Sequence, residues 1–170
     1  TLGDDESRAN YRSALKEYFA PYVDELCGDC KRRYEQNPLR ILDCKVDHDH
    51  ECMKNAPKMS DYLNEASQEY FNTVCELLDK LDIPYEVDDK LVRGLDYYTH
   101  TVFEIVSMNS EMGAQSTVLA GGRYDGLISY FGGPEGMSGI GWALGMERLL
   151  IALEAEGIEF AKMLEKEGID

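Results

Sequence analysis

The periodicity of the chain changes near residue 84, and that change limits the folds open to it. Before it, Leu63, Ala66, Tyr70, Val74, Leu77 and Leu81 recur every three or four residues. That is one face of a helix of about five turns. Ser60 and Asp61 read as its start and Pro84 as its stop. After Ile83 the pattern alternates. Tyr85 and Val87 stand between charges, and residues 97–106 are rich in Tyr, Thr, Val, Phe and Ile, as strands are. A helical module therefore runs to about residue 86, and a mostly antiparallel sheet with flanking helices follows it, giving an α+β chain.

The same reasoning places the smaller elements. Ser7, Tyr11, Leu15, Tyr18 and Tyr22 fall near helical spacing, with Pro21 ending or bending that helix. A short helix around residues 30–36 must stop before Pro38, because the residue preceding a proline avoids helical geometry. Residues 39–44 alternate as a short strand would. Residues 116–120 read as a strand ended by Gly121 and Gly122, and residues 124–131 as a short helix. Residues 139–144 read as a small-residue strand, and a helix from Met146 ends near Gly157.

Composition excludes several function classes. A hydrophobic content of 44% suits a packed core. No apolar run is long enough to span a bilayer, and no charged-then-apolar leader opens the chain. The net charge of −16 argues against a general nucleic-acid grip. One basic knot, Lys31, Arg32 and Arg33 with Arg40 beyond, reads either as a solvated helix face or as a local phosphate contact. Five cysteines in acidic and apolar surroundings fit a reducing compartment such as the cytoplasm. Cys27 and Cys30 form a C-x-x-C, with Cys44, His48, His50 and Cys52 downstream. These spacings admit a tetrahedral zinc site on Cys27, Cys30, Cys44 and Cys52. They equally admit ordinary cysteines on a helix.

The segments richest in chemistry are LVRGLDYYTHTVFE from Leu91, AGGRYDGL from Ala120 and GIGWALGMERLL from Gly139. Arg93 carries five fixed donors and cannot lose its proton, which suits a phosphate whose charge rises in a transition state. Gly94 leaves room beside it, and Asp96 is near enough to hold it or a ligand amine. On a strand Tyr97 and Tyr98 point to opposite faces, so one is core and the other can aim its hydroxyl into a pocket. Tyr124 can supply a second hydroxyl, and two hydroxyls can match both nitrogens of an imidazole. Gly121 and Gly122 lack the Lys-Ser/Thr of a P-loop and read as a floor where a ligand meets backbone. Arg148 can lay its guanidinium against a nucleobase. His100 has no evident ligand set. Each tyrosine has packing as its plain alternative.

The first two segments resemble the two histidine-binding signatures of histidyl-tRNA synthetases, and the third resembles motif 3 of class II aminoacyl-tRNA synthetases. YRSALKEYF and NPLRILDCK are similar to the insertion domain of bacterial forms. The resemblance implies an insertion domain at 1–86, part of the catalytic core at 87–157 and a linker at 158–170. It implies a histidine–tRNA ligase: histidine and ATP give histidyl-adenylate and pyrophosphate, and the histidyl group passes to tRNA. In that family an arginine placed as Arg93 steadies the ATP α-phosphate. Tyrosines placed as Tyr98 and Tyr124 line the imidazole pocket, with Tyr97 adjoining, and the motif 3 arginine, here Arg148, packs on ATP. ATP enters with Mg2+ as a substrate complex, and no tightly bound cofactor is expected. The partners implied are histidine, ATP, the tRNA acceptor arm and a second subunit, with no membrane. Motifs 1 and 2 and an anticodon-binding domain have no counterpart here, so the chain reads as a fragment inactive alone. Two other readings compete. One is a histidine-sensing regulatory subunit of ATP phosphoribosyltransferase, which usually lacks intact signatures and the insertion. The other makes the first 86 residues an autonomous tRNA- or zinc-binding module.

Overall fold

The structure, a computed structural model, describes residues 1–91 and 97–158. Arg93, Gly94 and Asp96 lie outside the described residues, as does nearly all of the 158–170 linker. The chain divides into two compact units. The first joins Thr1–Val102 to Arg123–Gly139, and the second joins Phe103–Gly122 to Ile140–Asp170.

In the first unit, α1 spans Asp5–Phe19 and buries Ser7, Tyr11, Leu15 and Phe19, one residue per turn along a single stripe. Its apolar face meets Leu26, Cys30, Leu39, Ile41, Met53 and Met59 to form the core. At Pro21 the helix tightens into a 3-10 turn over Ala20–Glu25. α2 spans Gly28–Gln36 and ends at Asn37, ahead of Pro38. The strand expected at 39–44 is instead a 3-10 turn over Pro38–Ile41. Pro38 cannot donate to a ladder, and the chain closes on itself through Arg40 N–H to the Asn37 carbonyl and Leu42 N–H to the Leu39 carbonyl.

α3 spans Glu65–Lys80, and its start also differs from expectation. Ser60 and Asp61 lie in a separate 3-10 turn over Met59–Tyr62. The cap is Asn64, whose side chain accepts the Ser67 N–H at 3.0 Å. Asp4 does the same for α1, accepting the Ser7 N–H at 2.8 Å. The two caps then interlock. The Asp4 N–H donates to Ser67 Oγ at 3.1 Å, and the Asn64 N–H donates to Ser7 Oγ at 3.0 Å. Asn64 Nδ2 also donates to Asp4 Oδ2 at 2.8 Å. Each helix thus satisfies the other's first orphan amides. The bond from the Ser7 N–H is the chief reason that the Asp4 carboxyl sits near 2, well below its ordinary 3.8.

β1 spans Thr99–Val106, β2 Thr117–Tyr124 and β3 Gly139–Leu144, forming an antiparallel sheet in the order β1-β2-β3. Gly121 and Gly122 do not end β2, which runs on to Tyr124 with both glycines buried inside it. A side chain at Gly121 would lie 2.6 Å from Trp142 Cβ and 2.9 Å from Phe103 Cζ, and closer still to the Gly141 carbonyl. The neighbouring strands approach so tightly there that only glycine fits. A single-turn helix, α4, covers Leu127–Tyr130, and α5 spans Met146–Ala155. Among the described residues no helix is long and apolar enough to cross a membrane.

Candidate functional site

The first unit brings the three tyrosines of the sequence reading together. Tyr97 and Tyr98 have ring centroids 4.8 Å apart, and Tyr124 meets the Tyr97 ring edge-on at 5.9 Å. The core residue of the pair is Tyr98, 5% exposed and packed with Leu2, Val102, Leu91 and Tyr124. Tyr97 is 37% exposed and faces a cavity of about 590 Å³. One edge of the Tyr124 ring lies against Gly139. A Cβ there would come within 2.9 Å of Cδ2 and 3.1 Å of Cζ. Gly139 is thus the seat that fixes the orientation of this phenol.

The cavity is also lined by Asp5, Arg8, Thr99, Asp125, Gly126, Leu127 and Tyr130. Both charge signs are present. Arg8 donates to the Tyr98 carbonyl at 2.6 Å and to Asp5 at 2.7 Å. Asp125 accepts from Thr99 Oγ1 at 2.9 Å and from Arg123 Nε at 2.9 and 3.1 Å. Burial works against the Asp125 charge, but the bonds from Arg123 and Thr99 outweigh it and hold the carboxyl below its usual range. The reciprocal bond raises the Arg123 guanidinium. Arg123 in turn lies 5.5 Å over the Tyr70 ring, with Nη1 3.4 Å from its hydroxyl. Tyr70 stacks at 4.7 Å on His100, whose Nε2 is 3.8 Å from Asp125. His100 thus stands in β1 beside this charged group. It has a positive φ of 50°, and its buried Nδ1 has no hydrogen-bond partner among the described residues.

A pocket with a fixed carboxylate, a guanidinium and phenols offers donors and acceptors to a small zwitterion with a polar ring. The sequence reading left out Asp125, Arg123, Thr99 and Tyr70. The first two stand in the AGGRYDGL segment two residues apart, Arg123 near the end of β2 and Asp125 in the bend just beyond it. Tyr70 reads in the sequence only as part of a helical stripe.

Gly121, Gly122 and Arg148 belong to the second unit. There Arg148 Nη1 donates to the Thr117 carbonyl at 3.0 Å, and the Gly145 N–H donates to the Val118 carbonyl at 3.0 Å, tying the start of α5 to β2. The basic knot on α2 is engaged locally: Lys31 with the Asp24 carbonyl, Arg32 with Asp29 and Arg33 with the Arg40 carbonyl.

The cysteines form a second constellation. The Cys27, Cys30 and Cys44 sulfurs and an Asp47 carboxylate oxygen all lie within 4.8 Å of one another. Cys52 stands outside this group, with its sulfur 3.0 Å from His50 Nδ1. Asp47 follows Cys44 at the same spacing as Cys30 follows Cys27, but a search for thiols passes over it.

Residues 2–149 match the family model described as histidyl-tRNA synthetase. The histidine–tRNA ligase of Oceanobacillus iheyensis is 56% identical over 158 residues, covering 93% of this chain and 37% of that protein. The histidine–tRNA ligase of Bacillus licheniformis is 55% identical over 170 residues, covering 100% of this chain and 39% of its own length. The crystal structure of apo histidyl-tRNA synthetase from S. aureus aligns with a TM-score of 0.69 at 44% identity, over 94% of this chain and 38% of that one. The chain thus spans under two fifths of the length of these relatives. On the family model and these identities, the chain belongs to the histidyl-tRNA synthetase family.

Proposed function

We propose that the chain supplies the amino-acid pocket of an enzyme that activates histidine with ATP and transfers it to tRNA. The observation that carries this reading is the cavity where Tyr97 and the Arg123-fixed Asp125 meet, with Tyr124 seated on Gly139 beside Tyr97. By the family's pattern the phenols of Tyr98 and Tyr124 match the imidazole nitrogens and Tyr97 adjoins them; of these three, Tyr97 is the one that lines the cavity. Asp125, kept ionised, offers an acceptor to an ammonium or an imidazole N–H. A site built to pair such a ring rejects analogues that leave its polar groups unpaired, by roughly ten-thousandfold in well-formed cases.

The remaining roles follow from the family. Arg93 steadies the α-phosphate while the histidine carboxylate attacks it and pyrophosphate departs. Gly121 and Gly122 offer backbone, Arg148 packs on ATP, and Mg2+ enters with ATP. Residues 1–86 act as the insertion that leans on the tRNA acceptor arm, residues 87–157 as part of the catalytic core and 158–170 as a linker. The enzyme works as a homodimer in the cytoplasm, where its five free cysteines stay reduced.

Histidine-dependent pyrophosphate exchange by the protein carrying this chain tests the reading. Arg93→Lys should slow adenylate formation far more than it weakens histidine binding, because an ammonium cannot reproduce the guanidinium fork. Equal losses in both would remove the transition-state role. Absence of histidine-dependent exchange in the unaltered protein would remove the function.

A further inference from the structure

Nothing in that reaction uses the cysteine cluster of the first unit, and its geometry is that of a metal centre. A tetrahedral zinc with bonds of about 2.3 Å to sulfur has sulfur–sulfur edges of about 3.8 Å. The Cys27 and Cys44 sulfurs are 3.8 Å apart. With an oxygen ligand at about 2.0 Å the mixed edge shortens to about 3.5 Å. Cys44 Sγ and Asp47 Oδ2 are 3.6 Å apart. A disulfide needs sulfurs at about 2.05 Å, so this pair is not bonded, and its spacing suits a shared ion.

The surroundings fit the same purpose. Cys27 caps α2 and Cys30 lies in its first turn, so a negative centre sits at the positive end of a helix. The Asp47 N–H approaches Cys44 Sγ at 3.4 Å, as backbone amides do toward ligating thiolates. The Cys27 N–H lies 3.2 and 3.1 Å from the two Asp47 oxygens, which holds the carboxylate beside the sulfurs. The segment that follows also needs such a tie. From Asn37 to Leu63 it has only short 3-10 turns and no helix or strand ladder. Such a stretch gains little from backbone pairing, and small modules of this kind are commonly stapled by metal or disulfide.

We infer that Cys27, Cys30, Cys44 and Asp47 form a structural site for a divalent ion of the zinc type, binding the start of α2 to the 44–47 turn. On binding, the three thiols give their protons to solvent and the ion exchanges its waters for three thiolates and one carboxylate. The ligand set has Asp47 in place of Cys52. The site stabilises the first unit and takes no part in chemistry at the tyrosine pocket.

The test is metal content and spectroscopy on the purified chain. Zinc loading followed by dialysis should leave about one ion per chain. Cobalt loading should give a thiolate-to-metal charge-transfer band with intense tetrahedral visible bands. Cys30→Ser and Asp47→Ala should lose the ion, and Cys52→Ser should keep it. If Cys30→Ser does not fold, Asp47→Cys still decides the matter: it should keep the ion and strengthen the cobalt charge-transfer band by about one third, four thiolates against three. A chelator should lower the melting temperature of the unaltered chain. No retained metal would overturn the inference. So would loss of the ion in Cys52→Ser with retention in Asp47→Ala.

Discussion

Replacing Asp4 with alanine should destabilise the first unit by about 1–2 kcal/mol at neutral pH, and the loss should shrink in acid. Asp4 accepts the Ser7 N–H at 2.8 Å and Asn64 Nδ2 at 2.8 Å, and both lose their acceptor in the variant. The carboxyl sits near 2 instead of 3.8, and that difference corresponds to at most about 2.5 kcal/mol of preference for the charged form. Asp4 is only half-buried, so solvent screening brings the figure to about 1 kcal/mol. That agrees with the typical cost of about 1 kcal/mol for losing a helix cap. For a chain of this size the melting temperature should fall by roughly 2–8 °C. The sign of the pH dependence follows from the lowered value. The contribution is complete above 3.8 and fades as pH falls toward 2. Thermal melts of the unaltered chain and Asp4→Ala, from pH 7 down to the lowest pH at which both fold, would measure it. Asp4→Asn, which keeps the capping oxygen without the charge, should lose less. A gap that stays constant below 3.8, or that widens in acid, would refute the electrostatic part of the argument.

Three further outcomes bear on the site. Tyr124→Phe should weaken histidine binding by about 1 kcal/mol or more in calorimetry, the usual size of one lost hydrogen bond. An unchanged affinity would take its hydroxyl out of the pocket. Gly139→Ala should cost more affinity than Tyr124→Phe, since the new methyl occupies the place of the ring and the whole phenol must move; equal or smaller cost would show that Tyr124 is not held by this seat. Asp125→Asn should reduce both stability and histidine affinity. It removes a charge that takes hydrogen bonds from Arg123 and Thr99, and such charged bonds are worth about 1.5–3 kcal/mol each; chemical denaturation beside histidine titration separates the two effects.

The elements readable in the sequence were those set by local rules. α1 follows from its stripe and α2 from Pro38 behind it, β3 from its run of small residues and α5 from the apolar spacing after Met146. The misreadings came where distant residues decide. Ser60, Asp61 and Asn64 are all good cap residues, and Asn64 prevails because Ser7 and Asp4 wait for it some sixty residues away. Gly121 and Gly122 look like punctuation locally, yet Gly121 is demanded by Gly141, Trp142 and Phe103 across the sheet. Leu39 and Ile41 alternate like a strand, but both are buried in a tight turn. At the site, residue types pointed to the tyrosines. The Arg123–Asp125–Thr99 group escaped because its members act through one another, and only coordinates reveal such mutual holding.

The paired caps of α1 and α3 have an evolutionary corollary. The backbone leaves the neighbourhood of Asp4 and Ser7 and returns to it at Asn64 and Ser67, so everything between is an excursion with adjoining ends. Lengthening such an excursion costs little, since closure entropy grows only with the logarithm of its length. The knot of four polar side chains therefore acts as a splice point. A lineage can enlarge, trim or exchange the cassette beyond the first turn of α1, which carries Arg8, while the tyrosine pocket keeps its frame.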